Sequence, residues 1–132
     1  MPFIIAVDYD DTISFGTVNS PWKPNQPVID KLKEFKKFGA EIALWTCREL
    51  DTLQEAVDRC TKAGLKFDAI NANTPAEMDY IARKSKGGEP AFAQSKIYAD
   101  IYVDDKAHGS IEYFLKIDVE KTCARFAKRG RN

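Results

Sequence analysis

Carboxylates are concentrated at two places in the sequence, each directly after a run of apolar residues. Asp8, Asp10 and Asp11 form the first cluster, and Asp104 and Asp105 form the second. Carboxylates this close together repel one another, and desolvation at the end of a buried element raises the cost of their charge further. A hard divalent cation relieves both costs, so the clusters predict a metal site. Acidic turns that cap neighbouring helices are the alternative.

Groups that could bind the oxygens of an anion follow another apolar run. In the stretch Trp45–Glu49, the Thr46 hydroxyl and successive backbone N–H groups would face the same crevice. The Arg48 side chain could contact a substrate there, and Lys96, eight positions before Asp104, could add a positive charge. As alternatives, Thr46 caps a helix and Lys96 is a solvated surface lysine.

Four short runs of apolar and β-branched residues predict strands buried on both faces of a parallel sheet. These runs are Phe3–Val7, Glu41–Trp45, Phe67–Ile70 and Tyr98–Val103. Apolar residues three and four positions apart predict helices between and after the strands. The first two helices start at Pro27 and at Asp51 or Thr52, with Gly39 and Gly64 as their stop signals. A short helix is predicted over Pro75–Lys84 and a terminal one behind Asp118, whereas the stretch Ile111–Ile117 is ambiguous.

The alternation of strands and helices predicts an α/β fold, because right-handed crossovers between parallel strands place helices on the faces of the sheet. We expect a three-layer, Rossmann-like architecture with helices on both faces. A single domain over residues 1–132 is expected, since this length is typical of one domain. Such sheets bind ligands at the carboxyl ends of their strands. The candidate residues that follow strands are therefore expected to meet at this edge.

Composition sets limits on location and partners. Lys plus Arg and Asp plus Glu each number 20, so bulk charge gives no indication of nucleic-acid binding. No apolar run approaches the roughly 20 residues that span a bilayer, and no signal-peptide pattern precedes the first run. We therefore expect a cytoplasmic protein without membrane association. The three cysteines include no CxxC pair, which disfavours a disulfide framework and a thiolate zinc site.

Several other chemistries are excluded by the residues that they would need. His108 is the only histidine of the sequence, which rules out a multi-histidine zinc site and an HExxH protease. Cys47 lacks the arginine six residues later that a cysteine phosphatase loop requires. A phospho-receiver domain is disfavoured because Asn71 and Asn73, rather than a carboxylate, follow the third predicted strand. Trp45 is interpreted as a core residue.

In chain order, the acid cluster, the hydroxyl, the lysine and the second acid pair closely resemble the four motifs of the haloacid dehalogenase superfamily. The first motif, an apolar strand followed by Asp-x-Asp-x-Thr, is matched by Phe3–Thr12, with Asp11 at a position that is frequently glycine in the family. The second, third and fourth motifs are matched in turn by Thr46, Lys96 and the pair Asp104 and Asp105.

This resemblance implies a Mg²⁺-dependent phosphatase that hydrolyses phosphomonoesters through an aspartyl phosphate. Asp8 would be the nucleophile, and Asp10 the general acid and base, with a raised pKa that keeps its carboxyl protonated at the start. Mg²⁺ would be held by the Asp8 carboxylate, the Asp10 backbone carbonyl and a carboxylate of Asp104 or Asp105. The phosphate-binding groups would be those of Thr46, Cys47 and Lys96.

The chain leaves no room for a separate cap domain, so it resembles the small capless members of that superfamily. The segment Asn71–Pro90, with Gly87–Gly88 as a hinge, is the candidate for a partial lid. Without a cap the phosphoryl pocket is open. We expect a small phosphorylated substrate, and either a second copy of the chain or a large substrate could cover the opening.

Two alternative functions follow from the same residues. One is the removal of terminal phosphates from a nucleic acid, and the other is a non-catalytic module that binds a metal or a phosphorylated ligand. The first is motivated by four basic residues near the C-terminus, Arg125, Lys128, Arg129 and Arg131. These residues equally fit a solvated helix end that complements the helix dipole.

Overall fold

A computed structural model describes residues 1–84 and 96–129 of the chain, and within them four strands form one all-parallel sheet. The strands are β1 (Ile4–Val7), β2 (Glu41–Leu44), β3 (Ala69–Ile70) and β4 (Ile101–Val103). Their order in the sheet is β3-β2-β1-β4, so β1 is central and pairs with both β2 and β4. The predicted α/β class with a parallel sheet is confirmed.

Five helices accompany the strands in the described part of the chain. They are α1 (Gln26–Lys37), α2 (Leu50–Lys62), α3 (Pro75–Lys84), α4 (Ser110–Lys116) and α5 (Val119–Ala127). The ambiguous stretch after Gly109 is helix α4, and α5 has the predicted cap, since the Asp118 carboxylate accepts a hydrogen bond from the Lys121 N–H. None of the helices that the structure describes has the length and apolar character needed to cross a membrane.

The two faces of the sheet carry different layers. On the first face, Ile5 and Val7 pack in a large core with residues of α1, α2, α4 and α5. On the second face, Ile4 and Ala6 pack with a smaller set of apolar residues, Ala43, Ile97 and Ala99. Helix α3 begins on this second face, where the Ala76 N–H donates to the carboxylate of Glu41. The architecture is therefore the expected three-layer, Rossmann-like one.

The strand order creates a switch point beside β1. The chain runs outward from β1 through β2 to β3 and then returns across the sheet to β4 on the other side of β1. In open α/β sheets, ligands bind at the carboxyl ends of the strands where the order reverses. No separate cap domain is evident in residues 1–84 and 96–129. The predicted Gly87–Gly88 hinge lies outside the described residues.

Candidate active site

A cleft of about 580 Å³ opens at the carboxyl ends of the strands, a volume within the range of small-molecule sites. Its lining residues are Asp8, Asp10, Asp11, Trp45, Thr46, Cys47, Asn71, Asp104, Asp105 and Lys106. The fold thus brings the two predicted acid clusters together with Thr46 and Cys47. Of the described residues that were predicted for the site, Arg48 and Lys96 do not line the cleft.

Asp8, Asp104 and Asp105 form a compact group of carboxylates at the switch point. One oxygen from each lies within 4.8 Å of the others, and all three residues are half-buried. The sheet register explains this, because Val7 of β1 pairs with Val103 of β4 and the acids follow directly. Hard oxygen ligands that converge in this way fit a Mg²⁺ ion. The group matches the predicted metal site in its side-chain carboxylates.

Within this group, Asp8 has a strongly raised pKa. Burial raises its pKa from 3.8 to about 7, against a hydrogen bond from the Tyr9 N–H, and the charges of Asp104, Asp105 and Asp10 raise it further. The Tyr9 N–H lies 2.8 Å from the Asp8 carboxylate. A nearby cation favours the ionised form of a carboxylate. A divalent ion bound here would therefore lower the Asp8 pKa and restore its charge.

Lys106 is a cation at the cleft that the motif comparison missed. Its ammonium lies 3.1 Å from Asp105, and its N–H donates to Asp104 at 2.9 Å. Burial raises the pKa of Asp105, but hydrogen bonds with Lys106 and Asp104 outweigh this and lower it overall. The sequence position of Lys106, directly after Asp104 and Asp105, was the signal that could have identified it. On the other side, the buried Thr12 hydroxyl accepts from the Asp105 N–H and ties the two acid clusters together.

Asp10 is not part of the described carboxylate group, and its side chain pairs with Arg48. Arg48 donates to both of its oxygens, with Nε and Nη2 at 3.0 and 2.8 Å. The hydrogen bond to Asp10 raises the pKa of Arg48 against the effect of burial. The Arg48 guanidinium is therefore turned toward Asp10, whereas the sequence suggested that it contacts the substrate.

The anion-binding groups predicted after β2 are partly used within the protein. The Thr46 N–H donates to the side chain of Asn71 at 2.8 Å, and the Arg48 N–H donates to the Thr46 hydroxyl at 3.2 Å. Two of the predicted N–H donors thus already have acceptors. The Thr46 side chain and the exposed Cys47 still line the cleft.

Lys96 lies near the predicted site but not in the cleft. Its exposed ammonium lies 5.3 Å from the ring centroid of Tyr102, which packs on the second face of the sheet. Asp104 stands two positions after Tyr102, so both project to the same side of β4. The structure thus places the Lys96 ammonium against Tyr102 and outside the set of residues that line the cleft.

Backbone with positive φ borders the cleft at two non-glycine residues. Asp11 has φ of 57° and Asn71 has φ of 50°. The Asp11 N–H donates to Ser14, and its carboxylate accepts from the Gly16 N–H, so local hydrogen bonds hold this conformation. Glycine adopts positive φ without steric cost. This explains in physical terms why glycine would suit the position of Asp11.

Trp45 is a cleft residue rather than a core residue alone. Its N–H donates to the Val7 carbonyl, which sets Trp45 beside Asp8 on the neighbouring strand. The side chain is half-buried and packs against the apolar cluster of the second face while it lines the cleft. The interpretation as core was incomplete, because a strand-end tryptophan can pack on one side and face a cavity on the other.

The described part of the predicted lid does not lie over the cleft. Asn71 lines the cleft, but helix α3 starts against Glu41, the first residue of β2 and thus at the opposite end of that strand. Helix α3 thus begins at the end of β2 away from the cleft, and none of its described residues lines the cleft. Residues 85–90 of the predicted lid lie outside the described residues.

Of the basic C-terminal residues, Arg129 lies at the opposite edge of the sheet. Arg129 forms an ion pair with Asp100, and it donates to the Tyr98 hydroxyl and to the carbonyl of Pro2. Pro2 precedes β1, so this group marks the amino-terminal edge of the sheet. Arg125 lies over the ring of Phe126. Arg131 lies outside the described residues.

Comparisons with known proteins support the fold. No family model and no curated protein matches the chain. A solved structure of a conserved protein coded by a locus from Bacteroides thetaiotaomicron is similar, with a TM-score of 0.66 and 25% sequence identity. The match covers 99% of this chain and 94% of that chain. The α/β architecture described above is thus shared with a protein of solved structure over nearly the whole length.

Proposed function

We propose that the cleft hydrolyses phosphomonoesters with Mg²⁺ through an aspartyl phosphate, in the manner of the haloacid dehalogenase superfamily. The observation that carries this proposal is the carboxylate group at the switch point, in which Asp8 has a pKa of about 7 beside Asp104 and Asp105. Perturbed carboxylates in a cleft at this point of an α/β sheet are typical of functional sites.

The three carboxylates of Asp8, Asp104 and Asp105 would hold the Mg²⁺ ion. When bound, Mg²⁺ supplies positive charge that lets a carboxylate approach a phosphate dianion. The Thr46 hydroxyl would bind a phosphate oxygen at the adjacent strand end. Lys106, whose ammonium already lies at the rim, would add positive charge. Lys96 could contribute only after leaving the Tyr102 ring.

In the first step, a carboxylate oxygen of Asp8 attacks phosphorus, and the bond between phosphorus and the leaving oxygen breaks. The leaving oxygen takes a proton from Asp10, which acts as general acid. The product alcohol departs, and the phosphoryl group stays on Asp8. This splits one difficult displacement into two easier ones.

In the second step, Asp10 accepts a proton from a water molecule as that water attacks phosphorus. The bond between phosphorus and the Asp8 oxygen breaks, phosphate leaves, and both carboxyl groups return to their starting states. The role of Asp10 requires that its carboxyl be aimed at the apical positions of phosphorus in both steps.

Small phosphorylated molecules are the substrates that this site favours. The alternative of polynucleotide ends depended on the basic C-terminal residues, and Arg129 lies with Asp100 at the edge of the sheet opposite the cleft. A cation there cannot guide a polyanion toward Asp8 at short range, because charges more than about 10 Å apart are largely screened at physiological salt.

A phosphate-release screen tests the proposal. The full chain is incubated with a panel of small phosphomonoesters and with oligonucleotides that carry terminal phosphates, in Mg²⁺ and in EDTA. We expect release from small esters in Mg²⁺ and none in EDTA, with activity restored by added Mg²⁺. Equal release in both conditions contradicts the metal assignment. Tight Mg²⁺ binding without release from any ester would instead favour the non-catalytic module.

A further inference from the structure

Arg48 is a buried arginine whose guanidinium pairs with carboxylates of the protein. Its side chain is 1% exposed, and that of its partner Asp10 is 26% exposed. Because Nε and Nη2 reach different oxygens of Asp10, the pair has the forked geometry that restricts rotation of a carboxylate. Asp10 thus has one orientation as long as Arg48 stays in place.

Helix α2 and loop residues hold Arg48 itself from other directions. Its Nη1 donates to the Thr52 carbonyl at 3.0 Å and lies 3.6 Å from Glu55. Its guanidinium carbon lies 4.5 Å from the ring centroid of Tyr9, a cation–π distance. With four sides occupied by protein groups, Arg48 forms a rigid support that links α2 to Asp10.

Asp10 needs such a support because the neighbouring carboxylates of Asp8, Asp104 and Asp105 could bind a cation that would also attract Asp10. The Asp10 carboxylate lines the same cleft as Asp8, Asp104 and Asp105, yet it does not belong to the described group that those three form. A carboxylate without a fixed partner beside a divalent cation would be attracted to it. The fork on Arg48 opposes that movement.

We propose that Arg48 is a positioning residue that keeps the Asp10 carboxylate out of the cation site and aims it at the leaving oxygen. Arg48 itself does not touch the substrate. The aiming part rests on the proposed function, whereas the separation of Asp10 from the cation does not. Helix α2, through Thr52 and Glu55, is on this account a structural part of the active site.

A double-mutant cycle tests the proposal, with Arg48→Met, Asp10→Asn and the double variant. Arg59→Met is the matched control, because Arg59 contacts Glu55 and the Tyr9 hydroxyl but has no described contact with Asp10. We expect Arg48→Met to lower kcat by about 10²-fold with little change in KM. The loss should vanish in the Asp10→Asn background, and Arg59→Met should stay close to wild type.

Calorimetric titration with Mg²⁺ provides the readout that does not depend on activity. Arg48→Met should tighten Mg²⁺ binding, since the freed Asp10 carboxylate becomes an additional ligand, and the gain should be lost in the double variant. Arg59→Met, which removes a charge without freeing Asp10, should not reproduce it. If Arg48→Met fails to fold by circular dichroism, Arg48→Lys, which keeps the charge but not the fork, replaces it with the same expected directions.

Each result decides the matter. A raised KM with unchanged kcat would make Arg48 a substrate contact, and independent losses in the double variant would show that Arg48 does not act through Asp10; either overturns the proposal. The proposal is also overturned if Arg48→Met and the double variant bind Mg²⁺ with the same affinity. A wild-type chain that releases no phosphate would refute the proposed function, while the titration still decides whether Arg48 holds Asp10 away from the cation.

Discussion

The two edges of the sheet use aspartate in opposite ways. At the amino-terminal edge, Asp100 accepts hydrogen bonds from the Ile4 N–H and the Tyr98 hydroxyl and pairs with Arg129. At the carboxyl-terminal edge, Asp8 lies among acids, with Asp104 and Asp105 within 4.8 Å. The same residue type is thus neutralised by the protein at one edge and crowded by like charges at the other.

This difference separates Asp100, whose charge the protein compensates, from Asp8, whose charge it does not. A buried carboxylate that has a cation and several donors stabilises a unique arrangement and needs nothing from outside. A carboxylate with like-charged neighbours and a pKa of about 7 is stabilised only when a cation arrives. The contrast leads to predictions for variants in which one residue at either edge of the sheet is replaced.

Asp8→Asn is expected to have the largest effect. The amide is not a nucleophile, so turnover should fall by at least about 10⁴-fold, while the similar shape preserves the fold. Steady-state phosphate release and circular dichroism measure the two properties. Turnover near the wild-type rate would remove Asp8 from the mechanism.

Arg129→Met should have the largest effect on stability and little on catalysis. Loss of one partner leaves the Asp100 side chain, 4% exposed, as an uncompensated buried charge, which costs about 3 kcal/mol of unfolding free energy. Urea denaturation checks the loss, and kcat should stay within a small factor of wild type. A large loss of kcat in the folded variant would break the proposed separation between the edges.

Asp104→Asn and Asp105→Asn distinguish the two acids of the second cluster. Each should weaken Mg²⁺ binding, and the residue that contacts the ion should cause the larger loss, because it supplies a charged oxygen ligand. Asp105 already has Lys106 as a partner at 3.1 Å, so we expect the larger loss at Asp104. Titration calorimetry of the folded variants measures both. Unchanged affinity in both variants would contradict the metal site.

The stability that Asp8 contributes to the metal-free protein should be lost as the pH rises. The folded pKa of Asp8, about 7, lies above its value of 3.8 in the unfolded chain, so protonation favours the folded state. This contribution is complete below pH 4 and is lost as the pH passes through 7. After allowance for solvent screening it amounts to about 1 kcal/mol. Urea denaturation across this range should show the unfolding free energy of wild type decreasing relative to that of Asp8→Asn as the pH rises through 7.

The sequence predicted α1, α3 and the cap of α5 closely because their signals are local. Pro27 lies in the first turn of α1, Gly39 follows its end with φ of 93°, and α3 has the predicted bounds Pro75–Lys84. Capping and stop residues act within one turn of a helix, so the chain itself carries the information. The predicted start of α2 at Asp51 or Thr52 was wrong, since α2 begins at Leu50 after Glu49, which makes no side-chain cap hydrogen bond.

The strand starts were less accurate because distant side chains replace backbone partners there. The strand predicted from Phe67 begins at Ala69, where the Asp68 carboxylate accepts the Ile42 N–H. The strand predicted from Tyr98 begins at Ile101, where Asp100 accepts the Ile4 N–H in the same way. Such contacts join residues far apart in sequence, and apolar patterns do not reveal them.

The candidate site likewise combines features that local sequence signals predict with features that depend on contacts between distant residues. Asp8, Thr46 and the acid pair directly follow strands, so the parallel topology alone predicted that they would meet. The partner of Arg48 could not be predicted, because it depends on how α2 packs beside Tyr9. The position of Lys96 on the Tyr102 ring likewise depends on the chain path before β4.

Chemical trapping of the phosphoryl group tests the central claim most directly. The Asp10→Asn variant is mixed with an aryl phosphate in Mg²⁺ and then quenched in acid. The aryl leaving group needs little help from a general acid, so Asp8 can still be phosphorylated, whereas loss of the base slows hydrolysis of the phosphorylated form. Peptide mass spectrometry should find one added phosphoryl group on Asp8, absent in EDTA. Phosphate release without modification of Asp8, or modification of another residue, would contradict the account.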